Sequence, residues 1–498
     1  MIPLGDLLIA AGLANRQQVD AALARQELRS ARLADILVEM GAAERGAMDS
    51  FMEHLPPEPV SLADTGIADI VLIDLLIKLV YAGRLESVSQ MTDAIKLPRS
   101  LVSELITQCV QRHLLQAAGS GGQTGLIDMH YYLTDTGQAF AKESLQRSKY
   151  AGPAPVSLDA FTRRVRRQKI TNEPVTWERI RGGLASLTIA DSMVEKLGPA
   201  LNSGRAMLLY GPPGNGKTSI ALSFASVFSD IIYVPFAIEV EGQIMRLYDP
   251  NFHRLPIDPD LQAHGGVVSF RHEGFDARWV PVRRPFIVTG GELTLAMLDL
   301  SYDATANFYE APLHLKALGG CFIIDDFGRQ IVSPSALLNR WIVPLESRVD
   351  YLKLHTGTSF SVPFEEMVVF STNLDPEDLM DPAFLRRLPY KLEVGIPTPE
   401  AFREIFANAA SAAGLELPAG VADTVIDMIT KGKKMELAAY HPRFIVDQVV
   451  AACRFMNQPP HFEPRFIAYA VDNLRVRRPD GETAKAAAAR PYTAAAAH

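Results

Sequence analysis

The run Gly211-Pro212-Pro213-Gly214-Asn215-Gly216-Lys217-Thr218 combines residue types that can grip a triphosphate. Its glycines let backbone N–H groups turn inward around phosphate oxygens, and a helix opening at Ser219 adds a favourable dipole. Lys217 places a point charge at the β- and γ-phosphates, and Thr218 offers a hydroxyl to Mg²⁺. About a hundred residues on, Asp325 and Asp326 stand side by side. The first carboxylate suits a Mg²⁺ ligand reached through water. The second stands where a general base or water-orienting group belongs. Asn373 brings an amide that could hold the attacking water and sense the γ-phosphate. Arg386 and Arg387 suit a cationic finger supplied from another copy, neutralising charge on the transferring phosphoryl. Arg443, after His441-Pro442, could reach back to the phosphates.

These residues need a scaffold that delivers loops to one edge. Ala206–Tyr210 is an apolar strand running into the glycine-rich loop and then a helix. Cys321–Ile324 is a second buried strand, ending in the two aspartates. Met367–Ser371 is a third, ending at Thr372-Asn373. The pattern predicts an α/β fold, a parallel sheet with flanking helices, followed by an α-helical lid. Lys217 and Asp325 lie 108 residues apart, whereas a βαβ unit needs ~30 or more. Residues 241–316 are therefore expected to hold an insertion with extra strands. Tyr248, Phe252, Phe270 and Trp279 either fill the insertion's own small core or line a pore or partner surface. Tyr351–Leu354 and Phe360–Val362 alternate around His355-Thr356-Gly357-Thr358 and read as a hairpin.

This set resembles the AAA+ ATPases over residues 172–478. The resemblance assigns Walker A to Gly211–Thr218, Walker B to Phe322–Asp326, sensor 1 to Asn373, the arginine finger to Arg386/Arg387 and sensor 2 to Arg443. It implies an ATPase core at 183–395, a helical lid at 396–478, Mg²⁺ with ATP between neighbouring subunits, and a homo-oligomeric ring, usually of six. The hairpin before Asn373 is similar to the insert of the helicase-like and MoxR-like branches. With Gly291-Glu292-Leu293-Thr294 and Asn339-Arg340-Trp341, the layout resembles bacterial predicted ATPases with chaperone activity. Many relatives carry Glu at the position of Asp326. The shorter side chain is compatible with slow hydrolysis.

Residues 1–55 contain a repeat of period 29. Leu4, Asp6, Leu8, Gly12, Arg16 and Asp20 recur as Leu33, Asp35, Leu37, Gly41, Arg45 and Asp49. Each copy reads as a short helix, a glycine stop and a second helix. The repeat resembles the tandem N-terminal motif of type II secretion and type IV pilus assembly ATPases, which in some members binds cyclic di-GMP. Copy one keeps Leu4, Gly5 and Gln26 but has Pro3 for Arg. Copy two has Arg32 and Leu33 but Ala34 for Gly and Leu55 for Gln.

After Pro56-Pro57-Glu58-Pro59, residues 65–150 read as a winged-helix-like domain. It comprises helices at Ile70–Leu79, at Ser87–Ile95 and from Leu97 to about Gln116, a wing at Gly119–Gly122, a strand at Ile127–Leu133 and a final helix. Its basic and acidic residues balance at eight each, so no basic face for DNA is expected. Residues 151–182 read as a linker carrying the basic cluster Phe161–Lys169. The cluster is a solvated connector, or a contact for nucleic acid or an acidic partner. Residues 479–498 read as a disordered Ala-rich tail.

The chain has 498 residues, 49 basic and 57 acidic, with a net charge of −8. An acidic balance argues against chain-wide binding of nucleic acid or anionic lipid. Cys109, Cys321 and Cys453 are too dispersed for a disulfide framework or a zinc ribbon. With no basic n-region before the first apolar run and charges inside Ile67–Tyr81 and Ser219–Val240, neither a signal peptide nor a membrane span is expected, and the setting reads as cytoplasmic. The leading reading is a ring ATPase that remodels an unidentified protein partner, residues 1–150 choosing the partner or sensing a signal. The alternative is a slow-hydrolysing, nucleotide-regulated scaffold or sensor that reads cyclic di-GMP through the repeat. A third is a DNA-acting ATPase using the winged helix.

Overall fold

In the computed structural model, residues 2–28, 31–120, 129–257 and 274–474 are described. They form two compact units. The first comprises Met1–Leu184, Asp191–Tyr210 and Thr218–Leu392. The second comprises Ala185–Ala190, Gly211–Lys217 and Glu393–His498. The wing residues 121–122, the strand start at 127–128, Phe270 and the tail at 479–498 lie outside the described residues.

The repeat folds as two helix pairs, Leu4–Ala10 with Arg16–Leu28 and Leu33–Glu39 with Arg45–His54. Gly12 and Gly41 end the first helix of each pair at φ +72° and +67°, the left-handed conformation that glycine adopts without steric cost. The repeated charges meet in each copy: Arg16 pairs with Asp6 at 2.7 Å and Arg45 with Asp35 at 3.6 Å. Leu7, Leu8, Ile36 and Leu37 are fully buried, each contributing roughly 1.5–3 kcal/mol relative to an exposed side chain.

Next come helices Asp69–Gly83, Val88–Ile95, Arg99–Gln111 and Asp135–Arg147, with strands Leu115–Ser120 and Met129–Leu133 paired antiparallel. The third helix stops at Gln111 rather than Gln116. His113 takes φ +56°, and Leu115 and Gln116 pair with Leu133 and Tyr132. Gly119 and Ser120, expected in the wing, stand in the strand.

The expected linker is structured. Val156–Ser157 pairs in parallel with Ala237–Val240, and Leu158–Arg167 is a helix. Phe161, Arg164 and Val165 are buried because their i, i+3, i+4 spacing puts them on one face. Arg164 donates to the His54 carbonyl at 2.7 Å and lies over the Tyr233 and Trp279 rings. It is therefore a packing cation, not part of a solvated connector, while Arg166 and Arg167 are exposed.

The central sheet has five strands: β1 (Met207–Tyr210), β2 (Phe286–Thr289), β3 (Cys321–Ile324), β4 (Met367–Thr372) and β5 (Tyr390–Glu393), in the order β5-β1-β4-β3-β2. The pairs β1/β4, β4/β3 and β3/β2 are parallel. Strand β2 lies inside the segment expected to be an insertion, so 241–316 contributes one core strand along with its additional strands. Ile287 is buried in one cluster with Phe322, Trp341, Phe364 and Phe370. The hairpin pairs Val349–Lys353 with Ser359–Pro363. Of the four aromatics named above within 241–316, Trp279 is buried and Tyr248 and Phe252 pack against hydrophobic clusters, which favours the core reading for these three.

The second unit carries helices Pro399–Ala412, Val421–Asp427, His441–Phe455 and Pro464–Asn473 around a core that includes Phe402, Phe406, Val449 and Val471. Among the described residues no helix is long and apolar enough to cross a membrane.

Candidate nucleotide site

Parallel pairing brings the carboxyl ends of β1, β4 and β3 to one edge. Tyr210 registers with Thr372, and Ile324 with Phe370. Strand order reverses around β1, since β5 and β4, consecutive in the chain, flank it. In open α/β sheets such a switch point opens a crevice for ligands beyond the strand ends.

In the first unit, two residues from different ends of that edge meet. Thr218 Oγ1 donates to Asp325 Oδ2 at 2.8 Å across 107 residues of chain. A hydroxyl beside a carboxylate is the hard oxygen donor set that Mg²⁺ takes, its remaining positions going to water and phosphate. Asp326 is exposed, and its Oδ1 accepts from Asn373 Nδ2 at 2.7 Å. Its backbone sits at φ +48°, a left-handed conformation that Asp tolerates better than most residues. The turn is fastened to β4: Phe327 N–H donates to the Ser371 carbonyl at 2.7 Å, and Thr372 Oγ1 donates to the Phe327 carbonyl at 2.8 Å. Beyond β2, the Gly290 N–H donates to Glu292 Oε1 at 2.8 Å and holds that carboxyl below its usual range.

The two arginines differ. Arg387 is half-buried, donates to the Ala383 carbonyl at 2.8 Å and pairs with Glu346 at 3.2 Å. Arg386 is exposed, and its side chain makes no hydrogen bond or ion pair among the described residues. Ser219, at the helix start, is also exposed.

In the second unit, Gly211, Gly214 and Gly216 take φ +135°, +78° and +88°. A side chain at Gly211 would come within 2.5 Å of the Val394 carbonyl oxygen, and one at Gly214 within 2.3 Å of the Tyr440 ring. Both positions therefore require glycine on conformational and steric grounds. Lys217 is 5 % exposed, and its Nζ donates to the carbonyls of Gly211 at 2.8 Å and Pro212 at 2.9 Å. The loop is tied to the turn before the helix His441–Phe455. Tyr440 N–H donates to the Gly214 carbonyl at 3.0 Å, and Ala439 N–H to Asn215 Oδ1 at 3.0 Å. Asn215 in turn donates to the Pro212 carbonyl at 3.4 Å. Pro212 and Pro213 are exposed. Arg443 begins that helix with its side chain 85 % exposed, 3.8 Å from Asp447.

Taken by itself, the hydroxyl–carboxylate pair of the first unit is a donor set of the kind Mg²⁺ takes, and the glycine-lined loop of the second, with a buried ammonium at its base, is of the kind that takes phosphate. Among the described residues no group of three or more His, Cys, Asp or Glu could hold a metal ion by itself. Gln330 and the Ala439-Tyr440 pair were not singled out by sequence reasoning, because a lone glutamine and a tyrosine before a helix carry no motif.

Comparison with known proteins adds little. A family model described as "Domain of unknown function (DUF8689)" matches residues 398–473. No curated protein matches the chain. Solved structures of the RuvB Holliday junction branch migration motor of Thermotoga maritima are similar. One is 14% identical, with 67% of this chain and 74% of that chain covered and a TM-score of 0.32. Two variants of that protein are 15% and 16% identical, covering 61% and 64% of this chain and 73% of theirs, with TM-scores of 0.31 and 0.32. At this identity and score the likeness carries nothing about activity.

Proposed function

We propose that this chain is an AAA+-type ATPase that binds ATP with Mg²⁺ at Gly211–Thr218, hydrolyses it in a homo-oligomeric ring, and uses the cycle to remodel a protein partner. The observation that carries this reading is the 2.8 Å hydrogen bond between Thr218 and Asp325. The two residues that sequence reasoning assigned to one cation meet although 107 positions apart in the chain.

In this reading the loop N–H groups and Lys217 bind the phosphates, and Thr218 and Asp325 hold the cation. Bound Mg²⁺ neutralises charge that develops on the phosphate oxygens. Asp326 accepts a proton from, or orients, the attacking water, and Asn373 holds its carboxylate in place. Arg386, its side chain free of competing bonds among the described residues, is the finger offered to a neighbouring subunit, and Arg387 is its structural support. Arg443 is exposed on the lid helix and available to phosphate. The balanced charge of residues 65–150 favours a protein over a DNA partner. Steady-state ATP turnover of the wild-type chain against Asp326→Asn tests the proposal. Turnover above background that the substitution removes supports it; no turnover, or turnover unchanged by the substitution, refutes it.

A further inference from the structure

In the turn that carries Asp325 and Asp326, three backbone groups face the same side chain, the Asp326 carbonyl also accepting from the Arg329 N–H at 3.0 Å. They are the carbonyls of Asp325 and Asp326 and the N–H of Gly328. One side chain meets all three. Gly328 N–H donates to Gln330 Oε1 at 2.8 Å, while Gln330 Nε2 donates to the Asp325 carbonyl at 3.0 Å and the Asp326 carbonyl at 3.3 Å. A carboxamide is well suited to this, because it presents one acceptor and two donors in a single plane. The turn needs such a clasp. It passes through Asp326 at φ +48° and Gly328 at φ +102°, both left-handed, and a non-glycine residue keeps that conformation only where its surroundings over-determine it.

We infer that Gln330 is the positioning residue of the site, fixing the backbone from which both aspartates project. This rests on the assignment of Asp325 and Asp326 under the proposed function. Rotation of the peptides at 325 and 326 would carry the Asp326 carboxylate off Asn373 and the Asp325 carboxylate off Thr218. Ser371 and Thr372 of β4, and Asn373 just beyond it, fasten the same turn from the neighbouring strand, and Gln330 fastens it from its own segment. Among the described residues its amide makes no hydrogen bond to the two carboxylates themselves. It acts through the main chain.

The test uses the full chain with Gln330→Ala and Gln330→Glu. Four quantities are read: amide hydrogen exchange at Gly328, melting temperature, Mg²⁺–ATP affinity, and kcat from pH 5.5 to 8. In Gln330→Ala, exchange at Gly328 should rise about tenfold or more, Mg²⁺–ATP affinity should fall because Asp325 shares the turn, and kcat should fall about 10–100-fold, the scale of loss when a catalytic group is misplaced by an ångström. Gln330→Glu supplies the discriminating signature. Ionised, it keeps an acceptor for Gly328 but sets a charge against two carbonyl oxygens. Protonated, it regains an O–H donor. Its kcat relative to wild type should therefore climb as pH falls towards the carboxyl range, while that of Gln330→Ala stays flat. Unchanged Gly328 exchange in Gln330→Ala overturns the inference, as does unchanged kcat or a Gln330→Glu profile parallel to that of alanine. Absence of turnover in the wild-type chain removes the ATPase reading instead. Gly328 exchange then decides the clasp alone, retained protection in Gln330→Ala overturning it and lost protection upholding it.

Discussion

Asn373, at the end of strand β4, donates its amide to the Asp326 carboxylate at 2.7 Å, and Asp326 meets it from a left-handed backbone. The pair joins neighbouring strands at the sheet edge where the proposed chemistry occurs. It gives the carboxylate a fixed direction and leaves its second oxygen open to water. Asp326→Asn should retain ATP binding and lose about 10²–10⁴-fold in kcat, the usual contribution of a positioned acid–base group. Asn373→Ala should lose less, because Asp326 keeps its charge and only its aim degrades. Single-turnover kinetics with radiolabelled ATP measure both.

The two arginines should separate cleanly. Arg386→Ala should leave the fold intact and reduce turnover about 10³-fold or more, as loss of a cationic finger does. Mixed assemblies should recover activity when Arg386→Ala subunits are combined with subunits carrying Lys217→Ala and an intact Arg386. Arg387→Ala removes the bonds to Ala383 and Glu346. It should cost about 1–2 kcal/mol of stability, given one net hydrogen bond and a partly exposed ion pair. Thermal melts and titrated mixing experiments distinguish the two outcomes.

Stability should respond to pH through two buried carboxyls that point in opposite directions. Burial pushes the Asp350 carboxyl up, but hydrogen bonds from His314 and Arg340 outweigh it and hold it down at about 2. That contribution is full above the ordinary carboxylate range and disappears as pH falls towards 2. Glu366 is fully buried, and among the described residues neither carboxylate oxygen accepts a hydrogen bond. Burial raises it well above its ordinary value, and the Arg348 guanidinium relieves this only in part. The folded chain therefore keeps that proton, and stability falls as pH rises from the ordinary Glu range towards the raised value. Glu366→Gln should flatten the alkaline side of a stability–pH curve and leave the acid side, set by Asp350, unchanged. Denaturant melts from pH 3 to 9 give both limbs.

Much of the site was legible because it is written in contiguous runs. Gly211–Thr218 follows an apolar strand, and Asp325-Asp326 and Asn373 follow two others, so periodicity and order sufficed to single them out as candidates. The repeat was legible for a similar reason, each copy ending its first helix on glycine and repeating its Asp–Arg pair. What sequence could not give depends on tertiary context. Phe286–Thr289 looks like any short apolar run until Cys321–Ile324 buries it. Arg164 reads as one of a basic cluster until Tyr233, Trp279 and the His54 carbonyl surround it. Arg386 and Arg387 are adjacent and chemically identical in sequence, and only Glu346 and the Ala383 carbonyl tell them apart. The left-handed turn at Asp326 and its clasp by Gln330 follow from no motif.

Everything proposed for the site depends on Lys217 and its loop gripping a triphosphate. Lys217 is buried, with its ammonium on the carbonyls of Gly211 and Pro212, so its donors lie within the loop that would surround the phosphates. The most direct measurement is calorimetric titration of Mg²⁺–ATP into the full chain, beside Lys217→Ala shown by circular dichroism to be folded. The account predicts saturable binding by the wild type that Lys217→Ala abolishes. A flat titration for the wild type, or equal affinity in the variant, would contradict it.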